Sequence, residues 1–323
     1  MAAGPEISVI VASHDRPLRL RWLLNALEQQ TLERTRFEII VGHDSSGPET
    51  EELLERHPLA KAGVLRHVTL PAGTAPPGAN RNAALKLARA PLIAFIDDDC
   101  RPPDDWLVNA LAAGHANPGA IVQGRTLKDP IEYSILHAPH VHSQLILPPT
   151  PWAEACNILY PRELIERLGG FLEDTYTGED TDLAMRAKKA GAKYVAAPEM
   201  LAYHSITETT FLKRLRGIWR WQDLPLLLKR HPEMREAFPM WIFWKRTHVF
   251  LPLFFAGLWL GERRRLPWIV LCIPWLVHGL PQHGTNPRGR FRNLSELPSR
   301  VAVDTAEMVT LTVGSIRHRS LLL

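Results

Sequence analysis

The chain has 323 residues, 38 Lys and Arg against 34 Asp and Glu, and a formal net charge of +4. That length allows one full catalytic domain and about a hundred residues more. A balance this mild excludes an extended polycationic nucleic-acid binder, and no nucleic-acid module is visible, although a weakly basic surface also serves anionic lipid.

Short apolar or β-branched runs recur through the first half: Ile7–Ala12, Phe37–Asp44, Val64–Leu70, Pro91–Ile96 and Ala120–Arg125. Helical patterns separate them, after Pro17, Gly47, Gly78 and Pro103. Strand and helix alternating at this spacing predict right-handed βαβ units and a mostly parallel, Rossmann-like sheet flanked by helices. The first strand-to-helix turn, Ser13 to Pro17, contains no glycine. That excludes a dinucleotide-binding dehydrogenase, whose backbone must approach a pyrophosphate at this turn, and no Gly-Lys-Ser/Thr cradle marks a P-loop ATPase. The N-terminus enters Ile7–Ala12 without a basic leader, and Cys100, Cys156 and Cys272 form no Cys-x-x-Cys pair. A reducing cytosolic setting is expected, with neither a zinc site nor a disulfide framework.

The junction at Ile96 is the most informative point. Asp97, Asp98 and Asp99 follow directly on a continuous apolar run of the kind buried on both faces of a parallel sheet. Ligands of such sheets sit outside the carboxyl ends of the strands, so the carboxylates face a ligand site. Their mutual repulsion would be relieved by a divalent cation, which in turn would leave coordination positions for a substrate diphosphate. An acidic loop that only solvates the strand end is the alternative. A second acidic pair, Glu179 and Asp180, precedes a helix predicted from about Asp182 to Ala190 that stops at Gly191. These acids, with Thr181, either cap that helix or supply a proton acceptor. Glycosyl transfer needs both kinds of carboxylate, one set anchoring a metal and another taking a proton from the attacking hydroxyl.

In that order the motifs resemble the inverting family 2 glycosyltransferases, whose nucleotide-sugar domain has the GT-A fold. Ile7–Leu27 resembles the family's first strand and helix, and Phe37–Ser46 its second strand with an acidic end. Gly78–Cys100 is similar to the arginine-bearing helix, fourth strand and DxD motif, and Thr177–Gly191 to the Glu-Asp base motif. The resemblance covers roughly Ile7 to His204. It implies that Ala12, Ser13 and Asp44 line the nucleobase and ribose pocket, His43 standing where many members carry an acid, and that Arg81 approaches the nucleotide. Asp97 and Asp99 would hold the divalent metal, with Asp98 beside the ribose or donor sugar. Asp180 would be the catalytic base, Glu179 its neighbour, and His204 a further metal ligand, a set suited to Mn²⁺ or Mg²⁺. The expected donor is a nucleoside diphosphate sugar, UDP-sugar foremost.

After His204 the character changes, and the chain is read as a catalytic domain over 1–206 followed by a helical, membrane-associating region over 207–323. Thr207–Arg235 reads as helix broken near Pro225 and Pro232, with basic and aromatic residues interleaved; Gly217 replaces the Gln of a processive Gln-x-x-Arg-Trp motif before Trp221. Arg214, Arg216 and Arg220 are either solvated, near lipid headgroups, or holding an acceptor phosphate. Two apolar segments, His248–Gly261 and Leu266–Pro281, are each too short to span a bilayer upright. Their connector Glu262–Arg265 would place arginines outside if they did. Helices lying in the cytoplasmic interface, a soluble helical subdomain and a homo-oligomer contact are the readings left open. The tail beyond Ser295 predicts an amphipathic helix. His137, His140 and His142 lack acidic or cysteine partners and mark a loop over the acceptor side, with Trp152 and Asn157 bordering the acceptor by position. The expectation is a metal-dependent inverting transferase peripheral or monotopic on the cytoplasmic face of the membrane, acting on a glycolipid or lipid-linked saccharide. A soluble transferase for a small molecule or protein, or a non-catalytic nucleotide-sugar binder, is the alternative.

Overall fold

The computed structural model describes residues 4–73, 75–138, 140–264, 266–280 and 286–323. The chain divides into two units, Met1–Thr209 and Thr210–Leu323.

The first unit is built on the apolar runs. Strands β1 (Ile7–Ser13), β2 (Phe37–His43), β3 (Leu65–Thr69) and β4 (Leu92–Ile96) alternate with α1 (Pro17–Glu28), α2 (Glu49–Arg56), the short α3 (Pro58–Lys61) and α4 (Pro77–Leu85). There follow β5 (Cys100–Arg101), α5 (Trp106–Ala116), β6 (Ile121–Lys128), β7 (Asn157–Pro161), α6 (Arg162–Leu168), α7 (Glu179–Lys189) and β8 (Tyr194–His204). Successive strand residues point to opposite faces, and because both faces of the sheet are covered both sets are buried. Val9, Val11, Ile39 and Val41 pack with Leu20, Leu24, Leu54 and Trp106 on one side. Ile10, Ile40 and Phe95 pack with Ala84, Leu164, Ile165 and Leu183 on the other.

The sheet order is β3-β2-β1-β4-β7-β6-β8-β5. The pairs β1/β2, β2/β3, β1/β4 and β6/β8 are parallel, whereas β7 is antiparallel to both β4 and β6 and β5 is antiparallel to β8. Six of the eight strands run the same way, as expected of a mostly parallel sheet, and the sheet is mixed because β7 and the two-residue β5 run against them. The reason lies in the connection before β7. After β6 the chain stays near that strand's carboxyl end, where Ile146 bridges back to Thr126, and it enters the sheet from there running the opposite way.

Gly42 in β2 is required by close approach, since a Cβ there would collide with the Asn80 carbonyl of α4. Gly42→Ala is expected to cost about 1–3 kcal/mol through forced backbone shift, read as a lowered thermal midpoint; an unchanged midpoint would show that α4 can retreat.

The second unit is helical: α8 (Phe211–Ile218), α9 (Leu224–Arg230), α10 (Arg246–Arg264), α11 (Ile273–Gly279), α12 (Pro287–Ser295) and α13 (Leu297–His318). Pro225 stands in the first turn of α9, where its missing N–H costs nothing, and Pro232 opens a short 3-10 turn. The first apolar segment lies within α10, which contains Pro252, and the second forms a 3-10 turn, Leu266–Cys272, followed by α11. Arg265 and Pro281 of those segments lie outside the described residues. Among the described residues no helix is long and apolar enough to cross a membrane. The tail is the amphipathic helix expected: α13 buries Val303, Asp304, Glu307, Thr310, Leu311, Gly314 and Ser315, a spacing of three and four.

Candidate active site

The site forms at the carboxyl ends of β1, β2 and β4 and the first turn of α7. The Asp97–Asp99 triplet follows the end of β4, and Arg16 is shared by two of its carboxylates while Arg81 takes the third. Ser13 Oγ, at the end of β1, donates to Asp98 Oδ2 at 2.8 Å. Arg16, just before α1, donates to Asp98 Oδ1 at 3.3 Å and Asp99 Oδ2 at 2.9 Å. Asp97 Oδ1 accepts from Arg81 of α4 at 2.9 Å.

Arg81 joins this row to the second acidic pair. Its other terminal nitrogen donates to Glu179 Oε1 at 2.7 Å, and its guanidinium lies 5.5 Å from the Phe171 ring centroid. Burial opposes the Arg81 charge, but Asp97, Glu179 and Asp180 outweigh it and hold the guanidinium more firmly protonated than usual. Glu179 and Asp180 lie inside α7 rather than before it, because Gly178 takes the N-cap position with φ 85°. Asp180 Oδ1 accepts the Thr181 N–H at 2.8 Å and Oδ2 the Ala155 N–H at 3.2 Å. Burial, and then the charge of Glu179, push the Asp180 carboxyl up to about 7. Burial, and then Asp99, push Asp98 likewise up to about 7. Among the described residues, Asp97, Asp98, Asp99, Glu179 and Asp180 thus crowd around only Arg81 and Arg16, and the site carries more negative charge than its cations neutralise.

His204, at the end of β8, completes the row. Its Nε2 lies 3.5 Å from Asp99 Oδ1, and its Nδ1 lies 2.9 Å from the Ser205 carbonyl. A carbonyl can only accept, so Nδ1 carries a proton, and in the neutral imidazole Nε2 offers a lone pair toward a carboxylate oxygen. Two acceptors facing one another fit a divalent cation held by Asp99 and His204; Asp97 does not fall within that close ligand group, its Oδ1 being engaged by Arg81. The Cys100 Sγ is near enough to join Asp99 and His204, but its contact with Cys156, followed by burial, pushes the thiol well above its usual range. It stays protonated and is a poor ligand.

Asp44, at the carboxyl end of β2, is buried and held on three sides. Asn80 Nδ2 donates to its Oδ1 at 2.9 Å, His14 Nδ1 lies 3.1 Å from the same oxygen, and the Ala75 N–H reaches Oδ2 at 3.1 Å. Ala12 and Ser13 stand beside it on β1, paired in register with Gly42 and His43. His43 is engaged elsewhere, its Nε2 lying 3.0 Å from Glu51 Oε2. Ala12, Ser13, Asp44, Arg81, Asp97, Asp98, Asp99, Glu179, Asp180 and His204 all belong to the first unit and cluster at one end of its sheet.

One sequence expectation needs correction. Asn157 does not border an acceptor: it is buried, accepts from Trp106 Nε1 at 2.9 Å, and donates to the carbonyls of Arg125 and Met200. It is a bracket that ties α5 to β6 and β8. His142 pairs through its backbone with Thr207 and places its ring edge-on to His204, 6.3 Å between centroids; neither His140 nor His142 belongs to a metal-ligand group among the described residues. The side chain of His137 lies outside what the structure describes. The residues that sequence reasoning missed are Arg16, which grips Asp98 and Asp99, and Asn80, which orients Asp44. Arg16 had a signal, a lone cation next to Pro17 in the very turn inspected for glycines.

The sequence profile of glycosyl transferase family 2 matches residues 8–169, half of the chain. Glycosyltransferase AglE of Haloferax volcanii is 20% identical over 210 residues, covering 62% of this chain and 67% of that protein. A pre-mycofactocin glycosyltransferase of Mycobacterium tuberculosis is 26% identical over 217 residues, 62% of this chain but only 44% of that one. The solved structure of mannosyltransferase PcManGT from Pyrobaculum calidifontis, in complex with GDP-Man and Mn²⁺, shares the fold at a TM-score of 0.58 and 19% identity, covering 98% of this chain and 88% of that one. With a family match over half of its length, carrying the strand-end aspartates and lying just ahead of the Glu-Asp helix, the chain belongs to glycosyl transferase family 2 and is a glycosyltransferase.

Proposed function

We propose that this enzyme moves a sugar from a nucleoside diphosphate sugar to an acceptor hydroxyl with inversion at the anomeric carbon. The observation that carries the reading is the single guanidinium of Arg81, which ties the strand-end carboxylate Asp97 to the Glu179–Asp180 pair and so sets a cation-binding row and a buried base in one pocket. Asp44, Ala12 and Ser13 form the floor for base and ribose, with the Asp44 carboxylate pre-oriented by Asn80. Asp99 and His204 would hold a divalent cation, Mn²⁺ or Mg²⁺, and bound there it would offset charge developing on the diphosphate leaving group. Asp180 Oδ2 accepts one backbone N–H and keeps a lone pair for the proton of the acceptor hydroxyl. A base raised to about 7 is matched to neutral operation.

Only the ionised carboxylate accepts a proton, so kcat/KM should fall about tenfold per pH unit below about 7 and level off above it. A profile flat from about pH 5.5 to about 8 would remove Asp180 from the base role.

UDP-sugar is the donor proposed first, with GDP-sugar next because PcManGT was solved with GDP-Man. The proposed acceptor is a glycolipid or lipid-linked saccharide of the cell surface, met at the cytoplasmic face of the membrane by a peripheral or monotopic protein. Exposed Trp259, Trp268, Ile269 and Phe291, in a unit that also carries Arg263, Arg288, Arg290 and Arg292, support that setting.

Titration of the purified protein with UDP, GDP and dTDP, with Mn²⁺ or Mg²⁺ and with chelator, tests the donor site. One diphosphate should bind only with metal, and Asp99→Asn should weaken it by at least about tenfold, since a ligand carboxylate is lost. Binding of none of them by the unaltered protein would reduce the carboxylate cluster to a structural feature.

A further inference from the structure

We propose that the C-terminal unit holds a second ligand site, a basic pocket that takes the phosphate of an anionic lipid headgroup. It is a cavity of about 300 Å³ where the start of α10, the end of α11 and α13 meet, lined by Lys245, Arg246, Thr247, His278, Arg300 and Asp304. The site stands on residues remote in sequence from the catalytic set and does not depend on the donor reading.

The charge pattern around the cavity decides what it can hold. Among the described residues its one lining carboxylate is fully engaged: Asp304 Oδ1 lies 2.6 Å from Lys245 Nζ, and Oδ2 accepts from Trp275 Nε1 at 3.0 Å. The neighbouring Glu307 Oε2 meets Lys245 Nζ at 2.5 Å and His248 Nε2 at 3.0 Å. His248, Asp304 and Glu307 are close enough to ligate a metal, but the Lys245 ammonium already contacts both carboxylates, so a cation is not the missing partner. What remains for a ligand is positive or hydrogen-bonding. Arg246 is exposed and has no ion-pair partner among the described residues, and the Thr247 Oγ1 is a buried hydroxyl oxygen without a hydrogen-bond partner there. Arg300 donates to the Gly279 carbonyl at 2.8 Å; burial lowers its basicity, with Glu296 pulling against that and Arg214 adding to it. Two guanidinia beside a hydroxyl form a donor set matched to phosphate, and the lining cations Lys245, Arg246 and Arg300 outnumber its one carboxylate, Asp304.

The lipid source follows from what adjoins the pocket. His278 and Gly279 end α11, and on the same helix Ile273 and Val277 are 50% and 66% exposed. His278, which lines the cavity, stacks on Phe250 of α10 at 5.2 Å. Apolar residues next to a phosphate pocket suit a headgroup bound at the level where acyl chains begin.

The test is co-sedimentation of the full chain with phosphatidylcholine vesicles doped with phosphatidic acid, or with oleic acid to equal surface charge. Phosphatidic acid should bind more tightly than oleic acid. The double variant Arg246→Gln/Thr247→Val should weaken that binding about fivefold to tenfold, while Lys229→Gln, an exposed charge elsewhere in the unit, should leave it within about twofold. Equal binding to the two anionic lipids, or equal loss in Lys229→Gln, would reduce the effect to surface charge and overturn the proposal. Binding of glycerol 3-phosphate in solution by a protein that does not co-sediment with the phosphatidic acid vesicles would overturn the lipid source. Nucleotide diphosphate titration of each variant reads the catalytic unit separately, so a failed donor site and a failed lipid site give different results.

Discussion

Asp180→Asn is expected to lower glycosyl transfer by about 10²–10⁴-fold, the usual contribution of a positioned general base, while nucleotide diphosphate binding stays within a few-fold of the unaltered protein. The asparagine keeps the shape, and its one carbonyl oxygen can still accept the 2.8 Å Thr181 N–H at the helix start; its NH2 then faces the Ala155 N–H, so that longer 3.2 Å contact is given up. What it loses is the ability to take a proton. The residual rate should also lose the acid limb near pH 7, because the group that titrates there has gone. Turnover within about tenfold of normal would move the base role to another residue. Glu179 would be the first to examine, although its Oε1 is bound to Arg81.

The second large effect is on stability rather than rate. Arg81→Met removes the cation from between Asp97 and Glu179 and leaves those carboxylates crowded with Asp180 and no counter-charge. Breaking a buried pair from one side costs about 3–5 kcal/mol. The lower end applies here because the Asp97 side chain is 25% exposed and keeps some hydration. For a unit of this size that is a fall of roughly 6–12 °C in thermal midpoint. The double variant Arg81→Met/Glu179→Gln should recover part of the loss by removing one uncompensated charge, and Arg81→Lys should sit between. An Arg81→Met protein that melts with the unaltered one would show that the acids find other relief, by protonation or by a bound cation.

The parts of this molecule that were legible in sequence are those where one local pattern maps to one structural role. Ile7–Ala12 and Pro91–Ile96 read as buried strands because covering both faces of a sheet leaves no room for alternation, and Asp97–Asp99 read as a ligand end because strand ends in such sheets face the site. The Glu179–Asp180 helix announced itself through acids at its start and Gly191 after its end. What escaped is what depends on partners distant in the chain. Asn157–Pro161 is a short run that begins with Asn and ends with Pro, and only its neighbours β4 and β6 make it a strand. From the sequence, Asn157 is placed beside the acceptor by position alone, and its role as a bracket needs Trp106, Arg125 and Met200, none near it in sequence. Arg16 went unassigned because a basic residue before a helix is ordinarily solvated, and its two carboxylate partners lie more than eighty positions away.

The bridge through Arg81 constrains how this sequence can change over time. Positions 81, 97 and 179 belong to a helix, a strand end and a second helix, yet they share one charge balance. A lineage that loses the arginine inherits two carboxylates it cannot keep ionised, and one that loses a carboxylate inherits an arginine short of a partner. Substitutions at these sites should therefore arrive together or not at all. In any collection of homologous chains, a non-basic residue at position 81 is expected to coincide with a neutral one at 97 or 179. Independent drift at the three would mean that the bridge is incidental to the fold.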